Sequence, residues 1–485
     1  MALMVIQPWR GFELWHLVLA GVSGLLSVAA SAHAVLYKRE PRSALSWAAF
    51  VWFVPLAGPL LYFLFGVNRI RRRARILRRS GRRRQTPGAP TGHPPLPLPP
   101  AGGHLAQLER SVQRVVGHPL LPGNRVEPLV DGDEAYPAML AAIHQARHTV
   151  SLETYIFDRD EAGRAFAQAL GAAVRRGVAV RVLVDGAGIL YSWPTIRHEL
   201  RREQVPHSLF HPRTSLLRLV SLNLRTHRKI LVADGCCGFT GGINIRAGHC
   251  LAGHPRRGVR DLHFRVHGPV VSQLQEAFAE DWRFATGERL RGKGWFPPPV
   301  AGGSVLARAV PDGPDEDSEK LRWTLLAALA AARNSVRIAT PYFLPDSAVI
   351  SALNLAALRG VEVDILLPAS SNLPFVHWAS RAMWWQVLAH GCRIWLSPPP
   401  FDHSKLMLVD GAWVLLGSAN WDARSLRLNF EFNLECYDAA LADRLGGLFA
   451  ARLAVAREVT LAEVDARPWP ARLRDGIARL ATPYL

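Results

Sequence analysis

Two copies of one spaced pattern constrain this chain more than any other feature. His227-Arg228-Lys229 is followed by Asp234 and by Gly241-Gly242-Ile243-Asn244. His403-Ser404-Lys405 is followed by Asp410 and by Gly417-Ser418-Ala419-Asn420. Both read H-x-K-x(4)-D, and in both the asparagine comes 17 residues after the histidine. Lysine is otherwise nearly absent: it supplies 5 of the 58 Lys and Arg residues, and two of those five lie in the motifs. One chance occurrence has a probability on the order of 10⁻² at this composition, and a matched pair with the trailing asparagine is far rarer. Two His-Lys sets on similar frames imply one site for a phosphate ester, built from two halves.

The halves repeat each other beyond the motifs. Ala146-Arg147-His148-Thr149-Val150 matches Ala332-Arg333-Asn334-Ser335-Val336, and the likeness runs on to Phe157 and Phe343. Arg176-Gly177-Val178 likewise matches Arg359-Gly360-Val361. Each half reads as strand, helix, strand, which predicts α/β units with largely parallel strands. Two such units facing across a pseudo-twofold axis would bring the motifs together.

Within a strand, residues two apart share a face. His227 and Lys229 would then aim an imidazole and an ammonium at one phosphate, as would His403 and Lys405. Glycines 241, 242 and 417 let the backbone approach closely, and Asn244, Ser418 and Asn420 are candidate donors to phosphate oxygens. Lysine supplies the charge that a metal supplies in other phosphoryl enzymes. No carboxylate cluster with metal spacing accompanies the motifs, so neither a metal nor another cofactor is expected. Two histidines allow a two-step reaction, in which one attacks phosphorus and the other moves the proton of the leaving and incoming alcohols. Asp234 and Asp410 complete the motifs and are counted with the catalytic set, although their place at the strand ends predicts a mainly structural role. A histidine nucleophile needs a partner that fixes its tautomer. Asp261 and Glu431, 34 and 28 residues after the two histidines, are the candidates.

The chain has 485 residues, enough for two or three domains, and a formal charge of +19 carried almost entirely by Arg. That charge suits nucleic acid or an anionic membrane surface. Five scattered cysteines fit neither a disulfide framework nor a Cys-type zinc site. Two apolar runs, Leu14 to Leu36 and Ala44 to Phe65, flank a polar hinge at 37–43, and Pro55 and Pro59 predict a kinked or partly re-entrant second span. Ten Arg between positions 69 and 84 follow directly. They place both termini inside and the hinge outside, and they can hold anionic headgroups. The expected organisation is a transmembrane hairpin at 1–68, a basic segment and Pro-rich linker at 69–103, a first domain at 104–292, a linker at 293–303, a second domain at 304–460 and a C-terminal amphipathic tail at 461–485. The Trp378, Trp384 and Trp385 segment and the tail helix from Trp469 read equally as membrane-surface elements or as ordinary packed and surface helices.

These motifs, with Arg260-Asp261, Gly268-Pro269, Asp281-Trp282 and Leu428-Asn429-Phe430-Glu431, resemble the phospholipase D superfamily and, within it, the bacterial cardiolipin synthases. The likeness runs from about Arg125 to Asp438 and includes the amino-terminal spans. It implies two phospholipase D-like α/β/α domains related by pseudo-twofold symmetry, preceded by a two-helix transmembrane hairpin in the bacterial inner membrane, with the catalytic domains cytoplasmic. It also implies phosphatidyl transfer: one phosphatidylglycerol donates its phosphatidyl group to His227, and a second accepts it, with His403 as acid and base. Phosphatidylglycerol and anionic lipids are then the partners, and no nucleic acid is expected. The sequence departs from the family's pattern at Arg246-Ala247-Gly248-His249-Cys250, which lacks acidic residues, and at Thr226, where many relatives carry Asn. A hydrolytic phospholipase D, with water as acceptor, or a phosphatidyltransferase with another donor lipid would use the same residues. A nuclease on the same fold is disfavoured by the spans, and a non-catalytic scaffold by the completeness of both motifs.

Overall fold

The computed structural model describes residues 10–38, 41–66, 98, 100–210, 225–253, 258–314 and 319–482. The basic cluster at 69–84, residues 39 and 40 of the polar hinge and most of the Pro-rich linker lie outside the described residues. Residues 10–66 belong to one compact unit, and those from 98 onward to another.

In the first unit, the Leu14 to Leu36 run falls within a single helix, Arg10–Tyr37. Its stretch Trp15–Tyr37 is long and apolar enough to cross a membrane, and among the described residues no other helix meets that length. The second apolar run is not one span. A helix covers Pro41–Phe53, the chain breaks, and a short helix, Ala57–Leu61, leads into a π-helical turn, Tyr62–Gly66. The break falls at Pro55, which has no N–H to give and whose ring crowds the preceding turn, and Leu56 beside it takes a positive φ of 62°. The pieces pack on the long helix through a hydrogen bond of 2.8 Å between His33 Nδ1 and Tyr62 Oη. Trp15, Leu17, Leu25, Leu36 and Phe53 remain exposed.

The second unit is built on a mixed sheet. Its first half contributes β1 (Leu121–Val130), β2 (Thr149–Thr154), β3 (Ala179–Asp185), β4 (His207–Phe210), β5 (Ile230–Ala233), β6 (Cys237–Gly241), β7 (Val259–Arg260) and β8 (Leu262–His267). The second half contributes β9 (Val305–Asp312), β10 (Ser335–Ala339), β11 (Glu362–Pro368), β12 (Arg393–Ser397), β13 (Phe401–Asp402), β14 (Leu406–Val409), β15 (Trp413–Gly417), β16 (Glu431–Tyr437) and β17 (Arg457–Val459). One sheet runs β17-β12-β11-β10-β14-β15-β16-β9-β1-β8-β6-β5-β2-β3-β4. Read outward from the central β9–β1 pair, the two halves list corresponding strands in the same order.

Strands β2, β3 and β4 are mutually parallel, as are β10, β11 and β12, but from β2 through the centre to β10 every pairing is antiparallel. The expectation of largely parallel strands therefore holds only at the flanks. The motif aspartates account for part of the difference. Asp234-Gly235 and Asp410-Gly411 are the central pairs of tight turns, with φ of 52° and 64° in one and 53° and 61° in the other. An Asp-Gly pair accepts two successive positive φ values, and such a turn joins antiparallel neighbours.

Helices cover the sheet. In the first half, Phe166 and Leu170 of Glu161–Arg175 pack in one core with Val150, Leu152 and Val182. In the second, Leu325 and Leu353 share a core with Val336, Ile338 and Ile365. Trp384 joins that core and donates to Ser380 Oγ at 3.0 Å, and the Arg474 guanidinium lies 4.5 Å over the Trp378 ring, whereas Trp385 is half-exposed. The tail helix Trp469–Leu480 buries Asp475 and Ala478 and leaves Trp469, Leu473, Ile477 and Leu480 exposed.

Candidate active site

Each H-x-K segment lies just before its motif strand rather than within it, in extended chain that docks on the opposite half. His227 N–H donates to Phe430 O at 2.8 Å, and His403 N–H donates to Arg260 O at 2.7 Å. The second contact extends into the short parallel β13–β7 ladder. Each histidine therefore sits beside the residue that follows its docking partner. Nδ1 of His227 is 3.1 Å from Glu431 Oε2, and Nδ1 of His403 is 2.7 Å from Asp261 Oδ2. Both candidate carboxylates meet a histidine, but the pairing is exchanged: each serves the histidine of the other half. With Nδ1 turned to a carboxylate, Nε2 of each ring is left for substrate.

The two carboxylates are held differently. Glu431 accepts from Ser418 Oγ at 2.5 Å and from Asn429 Nδ2 at 3.2 Å. Ser418 also accepts from Phe432 N–H at 3.0 Å. Its proton is committed to Glu431 and its side chain is fully buried, so it is not the phosphate donor that its place in the motif predicts. At the corresponding position of the first half stands Gly242, where a Cβ would come within 2.2 Å of Asp261 Oδ1. Asn244 accepts from Ile156 N–H at 3.1 Å through Oδ1. Asn420 is buried beside Asp422.

The lysine amines are buried between the carboxylates. Lys229 Nζ donates to His227 O at 2.7 Å and lies 5.6 Å from the Tyr155 ring, and Lys405 Nζ donates to His403 O. Burial, against the pull of Glu431 and Asp261, lowers Lys229 to about 7, with the charge of Lys405 adding to it, and lowers Lys405 to about 8. Burial also lowers both histidines, with the lysine charges adding to it. For Glu431, burial pushes upward but is outweighed by His227, Lys229 and Ser418, so its carboxyl is held below the ordinary range. Asp261 is raised by burial, with Lys405 and His249 opposing. Burial is the largest of these effects on the lysines and histidines, and the negative charge of a bound phosphodiester would oppose it.

Asp234 and Asp410 stand apart from this centre, at the far ends of their strands, which corrects their place in the catalytic set. The Asp234 carboxylate accepts from the N–H groups of Arg147, His148 and Thr149 at 2.7–2.9 Å. Asp410 does the same for Arg333, Asn334 and Ser335 at 2.8–2.9 Å, and His104 Nε2 lies 2.6 Å away. Each aspartate ties its turn to the start of the neighbouring strand. Asp410→Ala should therefore cost about 2–4 kcal/mol of stability through three orphaned amides, with KM unchanged in whatever enzyme stays folded. Although burial alone would raise Asp410, its hydrogen bonds depress it. Its contribution is thus complete above the unfolded carboxylate's pKa and lost as pH falls through the lower folded value. Denaturant melts of both proteins from pH 7 to pH 3 check this: the gap between them should narrow toward acid.

Several site residues are not legible from the motifs. The Tyr155 ring lies 5.2 Å from that of His227, and the Tyr342 ring 6.4 Å from that of His403. Both tyrosines fall in the repeated segments but one residue out of register, which hides the correspondence. Thr226 donates to the buried Glu153, and its N–H to Asp185 at 2.9 Å. His249 places its ring 6.5 Å from His403 and is lowered to about 3, chiefly by burial.

A family model described as "Cardiolipin synthase, PLD-like domain" matches residues 139–282 and 325–453. Cardiolipin synthase A of Pseudomonas putida (strain W619) is 34% identical over 96% of this chain and 97% of its own length. The chain belongs to the cardiolipin synthases of the phospholipase D superfamily. It is accordingly a phosphatidyltransferase. Cardiolipin synthase of Geobacillus kaustophilus (strain HTA426) is 33% identical over 93% of this chain and 90% of its own length. A second family model, "Phospholipase_D-nuclease N-terminal", matches residues 25–66. Among solved structures, phosphatidylserine synthase of Haemophilus influenzae Rd KW20 is similar in fold, with a TM-score of 0.58 and 14% identity over 78% of this chain and all of its own.

Proposed function

We propose that this cardiolipin synthase moves a phosphatidyl group from one phosphatidylglycerol to another through a phosphohistidine. The observation that carries the reading is the pair of histidines, each with Nδ1 on a carboxylate of the opposite half and two buried lysines between them. In the order the family implies, His227 Nε2 attacks phosphorus while the phosphorus–oxygen bond to glycerol breaks. His403 gives its Nε2 proton to the departing oxygen. The bound phosphodiester's charge raises the imidazoles and lysines that burial holds down, which favours the protonated form that His403 needs as the acid. The terminal hydroxyl of the second phosphatidylglycerol then attacks phosphorus, His403 takes its proton, and the bond to His227 breaks. Lys229, Lys405, Asn244 and Asn420 serve the equatorial oxygens, where charge builds.

The matching strand order of the halves supports a pseudo-twofold relation between domains at 104–292 and 304–460. The spanning-length helix and the outward apolar side chains of residues 10–66 support a membrane hairpin at 1–68, with the basic segment at 69–103 facing anionic lipid on the cytoplasmic side of a bacterial inner membrane.

Purified protein given phosphatidylglycerol alone in mixed micelles should form cardiolipin and glycerol in equal amounts. Phosphatidic acid with glycerol would make it a hydrolase, and no turnover would exclude phosphatidylglycerol as donor.

A further inference from the structure

Transfer between two phosphatidylglycerols involves two phosphates. One reacts between the histidines, and the acceptor's own phosphodiester is carried through unchanged. The motif residues account for the first only, and the second is an anion that must also leave water.

A pair of arginines lies close by. Arg225 Nη1 donates to Tyr155 Oη at 2.9 Å, and the Tyr155 ring stands 5.2 Å from that of His227. The Arg225 carbonyl accepts from Phe430 N–H at 2.9 Å. Arg424 lies in the short helix Ala423–Arg427 just before Phe430, where its carbonyl accepts from Leu428 and Asn429 N–H at 2.8 and 2.9 Å. Arg424 is lowered first by burial and next by the charge of Arg225. The nearby acids Asp185 and Asp422 feel the charges of Arg225 and Arg424, respectively, and also accept backbone N–H bonds. Asp185 accepts from Ala187, Gly188 and Thr226 N–H, and Asp422 caps its helix through Ser425 N–H. Arg225 thus sits beside Tyr155, whose ring is 6.1 Å from that of Tyr191, and the backbone of Arg424 lies in the turn that leads into Phe430, the residue docked on Arg225. The arrangement occurs on one side only: Phe401 stands two residues before His403, where Arg225 precedes His227, and Gly248 stands four after Asn244, where Arg424 follows Asn420.

We propose that Arg225 and Arg424 hold the unreacting phosphate of the acceptor lipid, and so make the enzyme a lipid-to-lipid transferase. The inference rests on the phosphatidyl-transfer reading. Two assays on full-length protein separate its parts. Exchange of labelled glycerol into phosphatidylglycerol uses an uncharged acceptor and reports phosphorus chemistry alone. Cardiolipin formation needs the second phosphate. In Arg225→Ala and Arg424→Ala, glycerol exchange should stay within about threefold of the parent, while cardiolipin formation falls at least about tenfold with a raised KM for acceptor. Arg225→Lys should recover part of the loss. A parallel fall in both assays, or no fall in cardiolipin, overturns the assignment. A parent protein that exchanges no glycerol overturns the transfer reading and this inference with it.

Discussion

Alanine at His227 is expected to remove phosphatidyl transfer by at least about 10³-fold, and alanine at His403 by a similar factor with natural lipid. The two losses should differ in kind. On the proposed mechanism His403 supplies a proton to glycerol, a poor leaving group. A phosphatidyl ester of nitrophenol departs without that proton. The His403→Ala enzyme should therefore release nitrophenolate in a burst and retain labelled phosphatidyl on His227, while His227→Ala should release none. Labelled protein from His227→Ala but not from His403→Ala would reverse the assignment. Near-normal turnover by either variant with phosphatidylglycerol would end the two-histidine mechanism.

The second large effect is expected at Glu431. Glutamine there keeps the shape but can turn an N–H toward His227 Nδ1, which favours the wrong tautomer. A fall in kcat on the order of 10²–10⁴ should follow. Glu431 raises His227 against its burial, so its removal leaves the imidazole still harder to protonate. The acid limb of the rate profile, where the nucleophile becomes protonated, should move to lower pH as the plateau falls. Loss of plateau without that movement would mean a packing defect alone. The exchanged pairing makes a further demand: Glu431→Gln should slow phosphoenzyme formation from the nitrophenyl ester, and Asp261→Asn should leave that step largely intact. The opposite outcome would restore pairing within each half.

What could be read from the sequence was whatever depends on local spacing. The H-x-K-x(4)-D frames name the four central side chains, and Asp261 and Glu431 emerge as partners from their offsets. Their exchange could not be seen, because His227 and Glu431 are 204 positions apart and the contact depends on how Phe430 docks beside Thr226. Ser418 looked like a phosphate donor because its neighbourhood in sequence is glycine and asparagine. Only the fold sets Glu431 above it. Asp234-Gly235 and Asp410-Gly411 carry a legible hairpin signal, which their place at the ends of chemical motifs obscures. The second apolar run had the right length for a span and the wrong interior, and Pro55 decided which property won.

The exchange of carboxylates also bears on the life of the chain before it is complete. Neither half owns a finished histidine: His227 waits for Glu431, and His403 for Asp261. On the proposed mechanism, a nascent chain halted after the first motif would have a nucleophile with no partner to set its proton. The capacity to cut phosphodiesters would then arise only when both halves have been synthesised and have closed on each other, and a fragment left by arrest or proteolysis would lack a competent histidine pair.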